Sequence, residues 1–212
     1  MVHFFKFIMV GKIKLAYMAS GSGSSVEALH HKIDTGALQG FESSLILCNK
    51  HSDEAGIYER AERLNIPIFY AASGLEQLAV LKKNKIDLIL GLGYISKVED
   101  VVLNEYHDRV LNIHPTLLPK HGGKGMYGLA THRSVLAAIE NFTGPTVHLM
   151  NSKFDEGRIL DQLAMDVPEH LIGQPSEENA KELQRYVLDG EYFLMADVLK
   201  QISEGSIKVG KF

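Results

Sequence analysis

IKLAYMASGSGSSVEAL, residues 13–29, is the stretch that decides the fold class. Ile13 to Ala19 is apolar and predicts a buried first strand. Glycines alternate with serines over residues 20–25, and Val26 then begins a helical pattern. A strand, a glycine turn and a helix in this order are typical of the βα unit from which parallel sheets are built.

Comparable units follow through most of the chain, without an internal repeat. They predict a doubly wound, mostly parallel open α/β sheet with helices on both faces. Further strands are predicted at residues 45–48, 66–70, 86–93, 110–114, 146–150 and, as a possibly antiparallel edge, 159–167. Further helices are predicted at residues 53–64 (capped by Ser52 or Asp53), 74–85 (with Leu75, Leu78, Ala79 and Leu81 toward the core), 98–106, 131–140 and 175–201.

Composition narrows the class of protein. The 212 residues are 45% hydrophobic and 23% charged, which suits one domain over residues 12–212 after a leader at 1–11 whose order is uncertain. The net charge of -4 argues against binding along nucleic acid. The hydrophobic start is too short to span a bilayer and lacks the features of a secretory signal. The single cysteine, Cys48, fits a reducing cytosol, so we expect a cytoplasmic protein without a membrane partner.

The glycine turn after the first strand has the geometry that points free backbone N–H groups at an anion. Gly21 and Gly23 permit close approach of a ligand, and Ser24 or Ser25 can cap the following helix. A dinucleotide loop requires a third glycine where Val26 stands, and no acidic residue directly follows the second predicted strand. A Walker Gly-Lys-Ser/Thr triplet is also missing here. The remaining interpretations are a site for one phosphate monoester or a plain tight turn.

NIHPTLLPK, residues 112–120, is where we expect the chemistry. Asn112 and His114 are two apart on a strand, so they point to the same side. Pro115 ends that strand, because it cannot donate to a ladder and keeps His114 out of the helical region. Ligands of open α/β sheets bind at this carboxyl edge. The alternative is a capped strand end with a buried, hydrogen-bonded histidine.

Three other segments each allow two interpretations. The glycine-rich strand end at Gly93, followed by Tyr94-Ile95, suits a flat ring ligand or a loop entering a helix. Residues 121–128 contain four glycines and predict a mobile or tightly turning loop over the site, in which Lys124 either meets a phosphate or is exposed. His148 lies among apolar residues, so it is either a core histidine or a functional one. No Cys/His spacing suggests a metal site.

The NIHPTLLPK string, with Gly144-Pro-Thr-Val-His148 and Asp155-x-Gly157 downstream, resembles the folate-dependent formyltransferases. The likeness spans roughly residues 12–202. It implies transfer of a formyl group from the co-substrate 10-formyltetrahydrofolate to an amine, with glycinamide ribonucleotide of purine biosynthesis as the favoured acceptor and no metal. Alternatives are formyl transfer to methionyl-tRNA or to an amino sugar nucleotide, a formyltetrahydrofolate hydrolase, and a non-catalytic nucleotide-binding relative.

The resemblance also implies roles for single residues. The catalytic triplet is Asn112, His114 and Asp155, and His148 is a possible supporting residue. The expected substrate-binding residues are Gly23, Ser24, Ser25, Lys124 and Glu191. The expected folate-binding residues are Gly93, Tyr94, Ile95, Ser96, Lys97, Val98 and Phe154. The N-terminal half of the domain would then bind phosphate, and the C-terminal half would bind folate and carry catalysis, in a monomer or a homodimer.

The residue types of the triplet suit formyl transfer. Attack on the formyl carbon builds negative charge on oxygen, and an Asn amide and a protonated His are donors worth about 2.7–4 kcal/mol each. Asp155 could accept the amine proton through a water, and its charge would favour the imidazolium form of His114.

The sequence departs from the family pattern in three places. Ser25 stands where the family usually has Asn, which changes a side-chain contact to the phosphate. Residues 95–98 read Ile-Ser-Lys-Val in place of Met-Arg-Ile-Leu, which alters the grip on the folate. Glu191 keeps the expected acid of the last helix, although its neighbours differ.

Overall fold

The computed structural model describes residues 11–212, so all of the predicted leader except Gly11 lies outside the described residues. The described chain forms nine strands, six α-helices and one short 3₁₀ helix. The strands are β1 (Ile13–Met18), β2 (Phe41–Cys48), β3 (Ile68–Tyr70), β4 (Leu88–Gly91), β5 (Val110–His114), β6 (Phe142–Thr143), β7 (Thr146–Leu149), β8 (Ile159–Gln162) and β9 (Met165–Asp166). The helices are α1 (Ser24–Asp34), α2 (Ile57–Arg63), α3 (Gly74–Lys83), α4 (Asp100–Glu105), α5 (Leu129–Ala137) and α6 (Glu177–Ser203), with the 3₁₀ helix at Glu169–Leu171.

Seven strands form one open sheet in the order β3-β2-β1-β4-β5-β7-β8. The first five of these are parallel. Strand β7 pairs antiparallel with β5, and β8 pairs antiparallel with β7. The chain winds outward from β1 to β3 and then returns to the other side of β1 with β4. The strand order therefore reverses between β1 and β4, and the carboxyl ends there are where ligands of such sheets bind.

Alternate residues of the strands feed two separate cores. Leu15 and Tyr17 of β1 pack with α1, α2 and α6 on one face of the sheet. Ala16 and Met18 pack with α3 and α4 on the other face. Because side chains alternate along a strand, one apolar segment buries both of its faces. The doubly wound, mostly parallel α/β fold predicted from sequence is thus confirmed.

The first two helices begin differently from the prediction. The N-cap of α1 is Gly23 in the left-handed conformation (φ 76°), and neither Ser24 nor Ser25 supplies a capping bond. Helix α2 begins at Ile57 rather than at residue 53, and no side chain caps it. The Ile57 N–H donates to the carbonyl oxygen of Gly21 at 3.0 Å, so contact with the β1–α1 turn sets where α2 starts.

Helix α3 is rotated relative to the predicted apolar face. Leu75 is 69% exposed and Ala79 is exposed, whereas Gln77 is buried. A capping box between Ser73 and Glu76 fixes the start of the helix. The neighbouring α4 then decides which side is covered, since the Gly74 N–H donates to a Glu99 carboxylate oxygen at 2.6 Å.

The predicted last strand, residues 159–167, is two strands. Strand β8 forms the antiparallel edge of the large sheet, and β9 pairs with β6 in a separate two-stranded sheet. Within residues 11–212, no helix carries an apolar stretch long enough to cross a membrane.

Candidate active site

A cavity of about 410 Å³ opens at the carboxyl ends of β4 and β5. Its walls come from the loop after β4, the loop between β5 and α5, and the loop between β7 and β8. Asn112, His114, His148 and Asp155 all line it. The fold therefore brings together four polar residues that lie in three separate parts of the sequence.

Asn112 is placed by strand pairing. It lies directly opposite His148 in the antiparallel β5–β7 register, and its Nδ2 is 3.1 Å from the His148 Nε2. Gly91 of β4 is its partner on the other side. A Cβ at Gly91 would lie 2.9 Å from the Asn112 Oδ1 and 2.6 Å from the Cε of Met150. A glycine at position 91 is thus what leaves room for the amide.

His114 is 3% exposed, and both of its ring nitrogens have a neighbour. Its Nε2 lies 2.9 Å from the carbonyl oxygen of His121, to which it can only donate. Its Nδ1 lies 3.6 Å from the Asp155 Oδ2. Burial lowers the pKa of His114, and the opposing effect of Asp155 is smaller. Asp155 does favour the imidazolium, as expected from the sequence, but its effect on the pKa of His114 is smaller than that of burial. The pKa of His114 is therefore lowered, and the neutral ring predominates at neutral pH.

His148 is buried and held by its own strand. Its Nδ1 is 3.0 Å from the Leu149 carbonyl oxygen, so Nδ1 carries the proton. In the neutral ring, Nε2 then accepts a hydrogen bond from the Asn112 amide. The same Nε2 lies 3.6 Å from the Asp155 Oδ1. His148 thereby orients Asn112 and leaves the second amide N–H of Asn112 for a ligand.

Asp155 stands between the two imidazoles, in the loop that leaves β7. Its Oδ2 accepts a hydrogen bond from the Gly123 N–H at 2.9 Å. Burial alone would raise the pKa of Asp155, but His148, His114 and this N–H together outweigh burial and leave the pKa lowered. The carboxylate is therefore ionised at neutral pH.

Gly157 explains the Asp-x-Gly pattern. A Cβ there would collide with the backbone carbonyl of Leu149. The loop can approach β7 this closely only with a glycine at position 157, and this approach keeps Asp155 next to His148.

All of the predicted folate-binding residues line the same cavity, and so does Lys124. The Tyr94 hydroxyl accepts a hydrogen bond from the Gln77 Nε2 at 2.9 Å, which anchors the ring between cavity and core. Phe154 is 40% exposed at the mouth. Their shared location is consistent with one ring-binding pocket, although their individual roles stay predictions.

The predicted phosphate turn lies beside the cavity rather than in its lining. Gly23, Ser24 and Ser25 are not among the lining residues. The turn is attached to the cavity wall through Ser20, whose N–H donates to the Gly93 carbonyl oxygen at 3.1 Å. The N-terminus of α1 presents the amides of its first turn, which have no partner within the helix.

Glu191 also lies outside the cavity lining, on α6. Burial raises its pKa to about 8. The preceding Gly190 allows close packing, because a Cβ there would lie 2.7 Å from the Met165 sulfur. Glu191 is thus a mostly protonated carboxyl at neutral pH.

Sequence reasoning missed the backbone groups of the glycine-rich loop. The His121 carbonyl sets the tautomer of His114, and the Gly123 amide binds Asp155. The clustered glycines signal tight turns, but they do not say which carbonyl or amide faces the site. Within residues 11–212, no three His, Cys, Asp or Glu side chains are grouped to hold a metal ion.

Comparisons with known proteins find similarity over most of this chain. The profile described as formyl transferase matches residues 13–199. A phosphoribosylglycinamide formyltransferase from Arabidopsis thaliana, named as chloroplastic, is 34% identical over 203 residues, which are 92% of this chain and 67% of that protein. Its counterpart from Bacillus subtilis is 30% identical over 182 residues, covering 81% of this chain and 88% of that protein.

A solved structure with a fold similar to that of this chain is known. The crystal structure of the phosphoribosylglycinamide formyltransferase from Brucella melitensis matches with a TM-score of 0.77 and 30% identity. The match covers 94% of this chain and 100% of that one.

Proposed function

This chain belongs to the formyl transferase family, and on that basis we propose that it is an enzyme that transfers the formyl group of 10-formyltetrahydrofolate to the amine of glycinamide ribonucleotide in purine biosynthesis. The observation that carries the proposal is one ionised carboxylate, Asp155, 3.6 Å from each of two imidazoles, with the Asn112 amide beside them in one cavity. The names of the similar proteins support the choice of acceptor.

The reaction needs no covalent enzyme intermediate, because the amine is itself the nucleophile. Its nitrogen bonds to the formyl carbon, and the bond from that carbon to N10 of the folate breaks. The amine loses one proton and N10 gains one. The enzyme must therefore stabilise an oxyanion and move a proton, and its cavity has groups suited to both tasks.

Asn112 is the first donor to the oxyanion. One amide N–H is engaged by His148, and the other is available to the formyl oxygen. An N–H held in place before reaction costs no reorganisation, and removal of such a donor typically costs about 2.7–4 kcal/mol.

Asp155 and His114 manage the proton. Asp155 is ionised at neutral pH and accepts the amine proton, directly or through a water. This proton passes from Asp155 to His114, which becomes an imidazolium. The Nδ1–H of the imidazolium faces Asp155, because its Nε2–H is hydrogen-bonded to the His121 carbonyl. The positive charge of protonated His114 then stabilises the oxyanion. The proton on its Nδ1, which lies 3.6 Å from the Asp155 Oδ2 and is not hydrogen-bonded to it, passes to the departing N10 and returns the ring to its neutral form.

The Gly23–Ser25 turn, at the N-terminus of α1, would hold the phosphate of glycinamide ribonucleotide. The helix N-terminus and its exposed amides favour an anion. Ser24 and Ser25 make no capping bond, so both hydroxyls remain for the ligand. Lys124 and Glu191 would contact the same substrate, and the residues from Gly93 to Val98 with Phe154 would hold the folate.

The proposal is tested by turnover of the purified protein. With 10-formyltetrahydrofolate and glycinamide ribonucleotide, we expect one formylated product per tetrahydrofolate released. An amino sugar nucleotide should not replace the acceptor, and water alone should give little release. His114→Ala should abolish turnover, and His107→Ala, which changes an 82% exposed ring, should not. Release of tetrahydrofolate without product would identify a hydrolase and contradict the proposal.

We further propose that the enzyme acts in the cytoplasm, as a monomer or homodimer, on small molecules alone. The negative net charge and single cysteine support this placement. A fluorescent fusion found in an organelle would contradict it.

A further inference from the structure

A chain of hydrogen bonds crosses the carboxyl edge of the sheet between β2, β1 and β4. Ser20 follows β1, Asn49 follows β2 directly, and Ser96 follows β4. The Ser20 hydroxyl is 2.7 Å from the Asn49 Oδ1, and the Asn49 Nδ2 is 2.6 Å from the Ser96 Oγ. The Ile95 N–H also donates to the Ser20 Oγ at 3.3 Å.

This chain of hydrogen bonds has a defined donor-to-acceptor direction. The Ser20 hydroxyl donates to the amide oxygen of Asn49 and accepts from the backbone of Ile95. The amide nitrogen of Asn49 donates to Ser96, so the Ser96 hydroxyl keeps its own proton for another acceptor. Ser96 is exposed and lines the cavity, whereas Ser20 is buried at the start of the phosphate turn.

Asn49 thus touches both halves of the proposed site without lining the cavity. On one side it holds the first residue of the turn that would bind the phosphate. On the other side it holds a residue of the loop that would bind the folate. A bridge of three short side chains, with two bonds under 2.8 Å, makes the position of each loop depend on the other.

We propose that Asn49 is a positioning residue that couples binding of the phosphorylated amine at the turn to binding of the folate beside Ser96. This inference rests on the proposed function. A ligand that orders one loop also orders the bridge, so the second ligand binds a loop that is already placed. Such coupling must be reciprocal, and typical values are about 5–150-fold in affinity.

Calorimetry with a non-reacting pair of ligands tests the coupling. Glycinamide ribonucleotide and tetrahydrofolate, an acceptor and a product, bind together without turnover. In the wild-type protein we expect each ligand to tighten the other by about fivefold or more. In Asn49→Ala this ratio should fall to near one, while each ligand alone loses about threefold or less. A purely structural role would weaken both single affinities and leave the ratio unchanged.

Two further variants keep the test decisive. Ser96→Ala cuts the bridge at an exposed residue, so it tests the proposal even if Asn49→Ala fails to fold, and it should also abolish the coupling. Asn84→Ala removes an amide that, among residues 11–212, donates to the Val80 carbonyl at the end of α3 and to no other group, and it should leave the ratio unchanged.

The outcomes separate the two proposals. A wild-type ratio of one, or an unchanged ratio in Asn49→Ala or Ser96→Ala, overturns the coupling while turnover still supports the enzyme function. Failure of the wild-type protein to bind either ligand overturns the proposed function and the coupling together.

Discussion

The Nδ1 atom of His114 and the Oδ2 atom of Asp155 lie 3.6 Å apart, and each group shifts the other's pKa against the effect of burial. Asp155 raises the pKa of His114, and His114 lowers the pKa of Asp155. For the imidazole the effect of burial on the pKa is the larger one, whereas for the carboxylate the effects of the neighbouring groups are larger. At neutral pH the pair is therefore a neutral ring beside an anion, and it can take up one proton.

Asp155→Asn should lower kcat by about 10²–10⁴-fold, because it removes both the proton acceptor and the anion beside His114. It should also lower the pKa of His114 further, since the opposing charge is gone. Steady-state kinetics and an NMR titration of the His114 ring measure the two effects. An unchanged His114 titration would show that the pair does not interact.

His148→Ala should lower kcat about tenfold or more, because Asn112 loses the acceptor that fixes its amide. The pKa of Asp155 should rise, since the His148 ring, 3.6 Å from the Asp155 Oδ1, is the neighbour that lowers this pKa most. The acid limb of the pH–rate profile should then move to higher pH. The exposed His107→Ala variant serves as the control, and an acid limb that stays in place would argue against the assignment.

Gly91→Ala should impair catalysis without replacing a catalytic residue. The new Cβ would lie 2.6 Å from Met150 and 2.9 Å from the Asn112 amide oxygen. Overpacking of this kind costs about 1–3 kcal/mol, and we expect kcat to fall about tenfold with displacement of the amide. Gly11→Ala is the control, because its Cβ would meet no atom of the described residues 11–212 within 4 Å. Wild-type kcat in a destabilised Gly91→Ala protein would contradict the placement of Asn112.

Gly23→Ala should raise the KM for glycinamide ribonucleotide and leave that for the folate nearly unchanged. Gly23 has φ 76°, and its Cβ would collide with the Ile57 side chain. A left-handed alanine costs about 1–2 kcal/mol, and the turn will relax away from its anion-binding shape. Gly36 has the same φ, and its Cβ would meet no atom within 4 Å in the part of the chain that the structure describes, so Gly36→Ala controls for strain alone. Equal KM changes in both variants would remove the turn from the substrate site.

Glu191→Gln should flatten the pH dependence of stability. Its carboxyl has a pKa of about 8 in the folded protein and about 4.3 when unfolded. Between these two pH values the folded state therefore binds more protons than the unfolded state. The contribution of Glu191 to stability is fully present below about pH 4.3 and is lost as the pH rises to about 8. Thermal unfolding should show a higher Tm than wild type near about pH 8.5 and little difference near about pH 4. A Tm difference between wild type and Glu191→Gln that does not change across this window would contradict the raised pKa of Glu191.

The sequence predicted the parts of this protein that depend on local periodicity. A strand repeats every two residues, so Asn112 and His114 had to share a side, and Pro115 had to end the strand. Local signals predicted helix boundaries and faces less well. Helix α3 presents Gln77 rather than Leu75 to the core, because the capping box and α4 decide its rotation.

The sequence by itself therefore determined the alternation of strands and helices, the glycine turn after the first strand and the chemical identity of the site residues, because spacing and residue type are local properties. Only the tertiary structure decided that β7 lies antiparallel to β5, which sets His148 against Asn112. It also decided that Asp155 stands between two imidazoles whose tautomers are set by the His121 and Leu149 carbonyls. The Asn112–His148 pairing and the His114–Asp155 contact join separate parts of the chain, and ionisation follows from burial and neighbours, which exist only once the sheet is assembled.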